Sequence, residues 1–164
     1  MTARTPDTRT PDTSLRGPVL ASLYAGLILT VLSVAFVYVD RAGIGLLAEH
    51  LKASYPTYGP TRIEEAVTLW TIVLTVVGAL GVVGWILAIW ATRRGFRWAD
   101  WLMGTLFAVG TVLALYLLTV RDTSGDTGLP IELGLIGLLP SAAGLAAVLL
   151  MWRARKSVTR GVPA

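Results

Sequence analysis

Val67–Ala91 reads VTLWTIVLTVVGALGVVGWILAIWA, 25 residues without one Asp, Glu, Lys, Arg or His. At ~1.5 Å per residue such a run is long enough, as a helix, to cross a hydrocarbon layer of ~30 Å. Strands in lipid are shorter and alternate in polarity, and this stretch does not alternate. A helix also satisfies its own backbone hydrogen bonds where no water can. Three further charge-free runs match it: Val19–Val39, Trp101–Val120 and Leu133–Trp152. The expected fold is all-α, a four-transmembrane-helix bundle. Residues 17–156 form the membrane domain, between cytoplasmic tails at 1–16 and 157–164.

Composition agrees. Of 164 residues, 54% are hydrophobic and 15% charged, against about 25% charged in a soluble domain. So small a soluble fold has too little interior for that much apolar surface. Cys is absent and His50 is the single histidine. Thiol chemistry, Cys-ligated metals and a bis-His haem are therefore excluded, and no cofactor is expected.

Basic residues set the orientation. With the N-terminus in the cytoplasm, the inner segments hold ten of the fourteen basic residues and three acids, a net +7. The outer segments carry net −3. The +4 of the whole chain is thus a topological asymmetry and not a nucleic-acid signature. Trp90, Trp98, Trp101 and Trp152 mark the inner interface, and Tyr38, Trp70 and Tyr116 the outer one. The expected location is the plasma membrane, with both termini cytoplasmic. The first run is longer than a signal-peptide core and lacks a small-x-small cleavage site, so it reads as a retained helix.

The N-terminal tail repeats Arg-Thr-Pro-Asp-Thr at Arg4–Thr8 and Arg9–Thr13. Without apolar anchors it is expected to be disordered. In the first outer loop Ile44, Leu47, Leu51 and Tyr55 recur at helical spacing, which predicts a short amphipathic helix ended by Pro56, Gly59 and Pro60. Thr61 and Glu64 fit a capping box that starts the second span. Glu64, Glu65, Asp100 and Glu132 all lie near helix starts, where capping explains them without catalysis. Arg93, Arg94, Arg97, Arg153, Arg155 and Lys156 suit anionic headgroups of the lipid bilayer.

Lipid gives helices little hydrophobic reason to associate, so small residues matter for packing. Gly26, Gly78, Gly81, Gly84, Gly104 and Gly144 are the expected close-contact positions. They serve either the bundle itself or an oligomer. Pro140 removes one backbone N–H and frees the carbonyl of Ile136, which predicts a kink.

Candidate chemistry is sparse. Asp126-Thr127-Gly128 spells the triplet of aspartic proteases, but that mechanism needs two carboxylates on a larger scaffold, so a turn is the better reading. Asp122 and Asp126 begin like a calcium loop, yet Thr127 stands where glycine is required. Asp122, Asp126 and Glu132 remain a candidate outer cation site. Glu49 and His50 are a candidate acid–base pair, although adjacent helix positions point apart. No span holds an ionisable residue, which argues against proton-coupled transport.

The Tyr55-Pro56 segment, Val77-Gly78-Ala79-Leu80-Gly81, Thr123–Pro130 and the Arg-rich inner end resemble small four-helix membrane proteins common in high-GC actinobacterial genomes. The resemblance covers residues 17–156 and implies the four-helix fold without an activity. The first functional expectation is a non-enzymatic membrane protein acting through helix or lipid contacts, as an accessory subunit of a membrane-protein partner or as a homo-oligomer. The alternative is a passive or exchange-type carrier of an apolar or neutral ligand, with a pocket near Pro140 and Trp85. A membrane enzyme with an outer-face site stands third.

Overall fold

A computed structural model describes residues 16–96 and 98–160, with side chains as far as Arg153. The N-terminal repeat, Arg97, the side chains of Arg155 and Lys156, and residues 161–164 lie outside the described residues. Among the described residues five α-helices follow one another: α1 (Arg16–Val39), α2 (Leu46–Ser54), α3 (Pro60–Arg94), α4 (Ala99–Thr119) and α5 (Ile131–Arg160). Four of them are long and apolar enough to cross a membrane. Among the described residues there is no strand, only one isolated bridge between Arg121 and Thr127.

α1 packs along α3 and α5, and α4 packs along α5. The fourth side of the ring, between α3 and α4, is thinly closed. The α3–α4 connection is tight because Gly95 takes φ +68° and its N–H returns to the last carbonyls of α3. A side chain is strained at that φ, which glycine adopts freely.

Two buried apolar clusters lie at opposite ends of the bundle. Val19, Leu23, Ala88, Ile89, Met103, Ala147 and Met151 fill the end with the arginines, the basic end. Val37, Leu47, Leu51, Ile63, Val67, Leu129 and Leu133 fill the other, under α2, the capped end. Large apolar side chains face outward between them, Val112 and Leu80 each at 66% exposure. A water-facing helix would carry polar residues there.

The capped end departs from the sequence expectation in three ways. α2 begins at Leu46 and not at Ile44, because Asp40–Ile44 forms a π-helical turn closed by Gly45 N–H on the Asp40 carbonyl at 2.8 Å. Ile44 is consequently exposed, while Leu47 and Leu51 are buried. The Thr61–Glu64 capping box does not form. α3 starts two residues earlier, at Pro60 behind Gly59, with no side-chain cap. Proline suits that first position because its missing N–H would have been unpaired anyway. Glu64, freed from capping, pairs with Arg41 at 2.7 Å.

Candidate functional site

The site is built from small residues facing large ones. A Cβ at Gly26 would run into the Trp85 ring, and one at Gly144 would lie 2.9 Å from Phe107 Cδ2 and 3.5 Å from Trp85. The indole of Trp85 therefore lies in a notch between α1 and α5. Its N–H donates to Thr30 Oγ1 at 2.8 Å, and the Thr30 hydroxyl donates to the Gly26 carbonyl at 2.8 Å. Gly78 admits Val34, and a Cβ at Gly81 would stand 3.2 Å from Thr30 Cγ2. A Cβ at Gly84 would stand 3.3 Å from Leu106 Cδ2. Gly104 differs from the expectation: a Cβ there would meet nothing within 4 Å, so no neighbour requires a glycine.

These contacts do not fill the bundle. A cavity of about 350 Å³ lies among α1, α3, α4 and α5. Its lining includes Thr30, Ser33, Trp85, Phe107, Thr111 and Pro140 and contains no ionisable side chain. The volume falls within the ordinary range for small-molecule sites.

Two hydroxyls in the lining are informative. Ser33 donates to the carbonyl of Leu29 at 2.8 Å and shares its proton with the carbonyl of Ile136 at 3.1 Å. The Ile136 oxygen is the one left without an N–H by Pro140. Thr111 behaves differently from its kin. Thr30, Thr71, Thr75, Thr92 and Thr119 each donate to the carbonyl four residues back, the common way to quieten a hydroxyl in a helix. The Thr111 hydroxyl is buried and makes no hydrogen bond, alone in this among the buried side-chain polar atoms of the described residues.

The polar candidates all lie at the capped end, away from the cavity lining. His50 Nε2 meets the Thr127 carbonyl at 2.6 Å. A carbonyl only accepts, so Nε2 carries the proton and cannot serve as a base. Glu49 is exposed, and the bond His50 makes is to backbone, not to a carboxylate. The Asp122 carboxylate accepts from the Ser124 N–H at 2.9 Å and from the Ser124 hydroxyl, an Asx turn. Burial works to raise the Asp122 carboxyl, but Ser124, the Tyr55 hydroxyl and the nearby His50 together hold it below its usual value. Among the described residues, no three His, Asp or Glu converge to hold a metal ion. The expected grouping of Asp122, Asp126 and Glu132 is thus not formed, because Asp122 is engaged in its own turn and Glu132 is exposed on the first turn of α5.

One residue missed by spacing rules organises this end. Asp40 is 2% exposed, and its carboxylate accepts from the N–H groups of Leu46 at 2.8 Å and Leu47 at 3.1 Å. The π turn separates this cap from its helix, so no local motif announces it. At the basic end, the Arg16 guanidinium donates to the carbonyls of Thr92, at 2.9 Å, and Arg93. Arg93 lies over the Tyr24 ring and Arg94 over Trp90.

No protein-family model matches the chain, and no curated protein or solved structure matches it.

Proposed function

We propose that this protein is a multi-pass membrane protein, non-enzymatic, that binds and exchanges an apolar molecule in the cavity among α1, α3, α4 and α5. The observation carrying this reading is that cavity of about 350 Å³, apolar in its walls, with the unpaired Thr111 hydroxyl in its lining. Bundles that act only through their outer surfaces have no need of such a space. The absence of ionisable side chains from the lining favours passive binding over proton-coupled work.

In the same reading the basic end faces the cytoplasm of a plasma membrane, both termini with it, as the positive-inside asymmetry requires. α2 is the amphipathic cap of the opposite face, its Leu47 and Leu51 turned to the bundle. Arg93, Arg94 and Arg153 meet anionic headgroups, joined by Arg97, Arg155 and Lys156.

Native mass spectrometry of a mild-detergent extract tests the binding. The expected result is a retained lipid-like mass on the wild-type chain. That mass should be lost in Gly137→Leu, where a side chain enters open space beside the cavity. An unliganded chain that co-purifies with a protein partner would instead favour the accessory-subunit reading.

A further inference from the structure

The shape of the cavity and the positions of its openings identify what it takes and how. Along α1 the lining runs from Leu23 to Val37, about 21 Å at the helical rise. For a volume of about 350 Å³ that is long, the shape of a chain and not of a ring system. Both ends are shut. Leu23, Ala88, Met103 and Ala147 close the basic end, each at most 4% exposed. Leu129 and Leu133 close the capped end at 2% and 6%. Neither end offers a water-filled way in.

The side is different. Leu80 on α3 and Val109 and Leu113 on α4 line the cavity and are also exposed, at 66%, 53% and 40%. A large side chain that does both marks a rim. Val109 stands ten residues from either end of α4, about 15 Å along the axis. The rim therefore opens at the depth of the hydrocarbon, where only a lipid-soluble molecule is present. It coincides with the thinly closed seam between α3 and α4, which meet at Gly84 and Leu106 and at Thr92 and Met103.

We infer that the occupant is a single-chain membrane lipid that slides in sideways between α3 and α4, and that a polar oxygen on it hydrogen-bonds the Thr111 hydroxyl. The inference rests on the binding reading above and adds the route, the chemical class and the polar contact. A buried hydroxyl left unpaired is costly, and a ligand oxygen would relieve it. The rim is apolar, so an alkyl chain passes without shedding water.

The chain has no cysteine, so Leu113→Cys and Val112→Cys each introduce a unique thiol on α4. Val112 is exposed but does not line the cavity. Each variant, in phosphatidylcholine nanodiscs, is labelled with a bulky maleimide and then offered a photoactivatable long-chain fatty alcohol. Uptake is followed by crosslinking yield against time, with size-exclusion profiles confirming a folded bundle. Label at Leu113→Cys should slow uptake about tenfold or more while label at Val112→Cys leaves it unchanged. Thr111→Val should lower the yield for the alcohol about three- to tenfold, the worth of one hydrogen bond, and leave the yield for the matching alkane unchanged. If labelled Leu113→Cys takes up probe at the wild-type rate while Gly137→Leu lowers the yield, the lateral route is wrong and the binding reading stands. If Gly137→Leu also leaves the yield unchanged, the binding reading fails and this inference with it. Equal loss of alcohol and alkane in Thr111→Val, or no loss of either, overturns the role of Thr111.

Discussion

The Ser33 hydroxyl of α1 reaches the Ile136 carbonyl of α5 at 3.1 Å, the carbonyl that Pro140 deprives of its helical partner. Membrane helices tolerate proline where a neighbouring hydroxyl supplies the missing donor. This one also ties the two most extensively packed helices together beside the cavity.

Ser33→Ala should therefore destabilise the bundle by about 0.5–1.5 kcal/mol, at the scale of one interhelical hydrogen bond. In a Pro140→Ala background the same change should cost much less, since that substitution restores the N–H that Ile136 lacks. Unfolding in mixed micelles of the four proteins measures the coupling. Additive effects would mean that Ser33 and Pro140 act separately.

Glycines of equal appearance should respond unequally. Gly26→Ala forces a methyl into the Trp85 ring, which Thr30 holds by its hydrogen bond. Overpacking of this kind costs about 1–3 kcal/mol. Gly104→Ala meets nothing within 4 Å, so it should be neutral or slightly stabilising through helix propensity. Thermal melts in detergent separate the two.

That contrast marks how far the sequence could be read. The spans were legible because charge-free length is a one-dimensional property: the run Val67–Ala91 lies inside α3, and Val19–Val39 within α1. Gly26 and Gly104 look alike in sequence because what distinguishes them is a ring arriving from another helix. The free carbonyl of Ile136 followed from Pro140 alone, but its donor lies 103 residues away. Thr111 carried no signal at all, since its distinction is a bond that five other threonines make and it does not. The space near Pro140 and Trp85 was expected only under the carrier reading, and the cavity lies among those residues.

Topology is testable through the same lack of cysteine. Trp98→Cys and Asp126→Cys place thiols at opposite ends of the bundle, and both residues are exposed without a positive φ. In intact cells a membrane-impermeant maleimide should label Asp126→Cys and spare Trp98→Cys until the membrane is opened. The reverse pattern would invert the proposed orientation.

Asp122 should titrate below the usual carboxylate value of about 3.9, because the bonds from Ser124 and Tyr55 and the presence of His50 outweigh its burial. A carboxyl lowered on folding stabilises the loop above the unfolded value, and this contribution is lost as pH falls through the lowered folded value. Ser124→Ala should move the titration up toward the ordinary value. Carboxyl chemical shifts in micelles report it, and an unchanged midpoint would show that Ser124 does not stabilise the charged form.

Asp40 links the cap to the cavity. Its carboxylate holds the first turn of α2, and α2 contributes Leu47 and Leu51 to the cluster that includes Leu129 and Leu133, the residues closing the cavity at that end. Asp40→Ala removes the cap and should cost about 0.5–2 kcal/mol, felt first as fraying of α2. Asp40→Asn keeps one acceptor oxygen and should lose less. Hydrogen exchange over residues 46–54 should rise in Asp40→Ala while the four long helices stay protected. If α2 then lifts, water gains a path to Trp85, and a red shift of its emission, read in a chain whose other five tryptophans are replaced by Phe, should accompany the faster exchange. Faster exchange of α2 without that shift would show that Leu129 and Leu133 seal the cavity without help from α2.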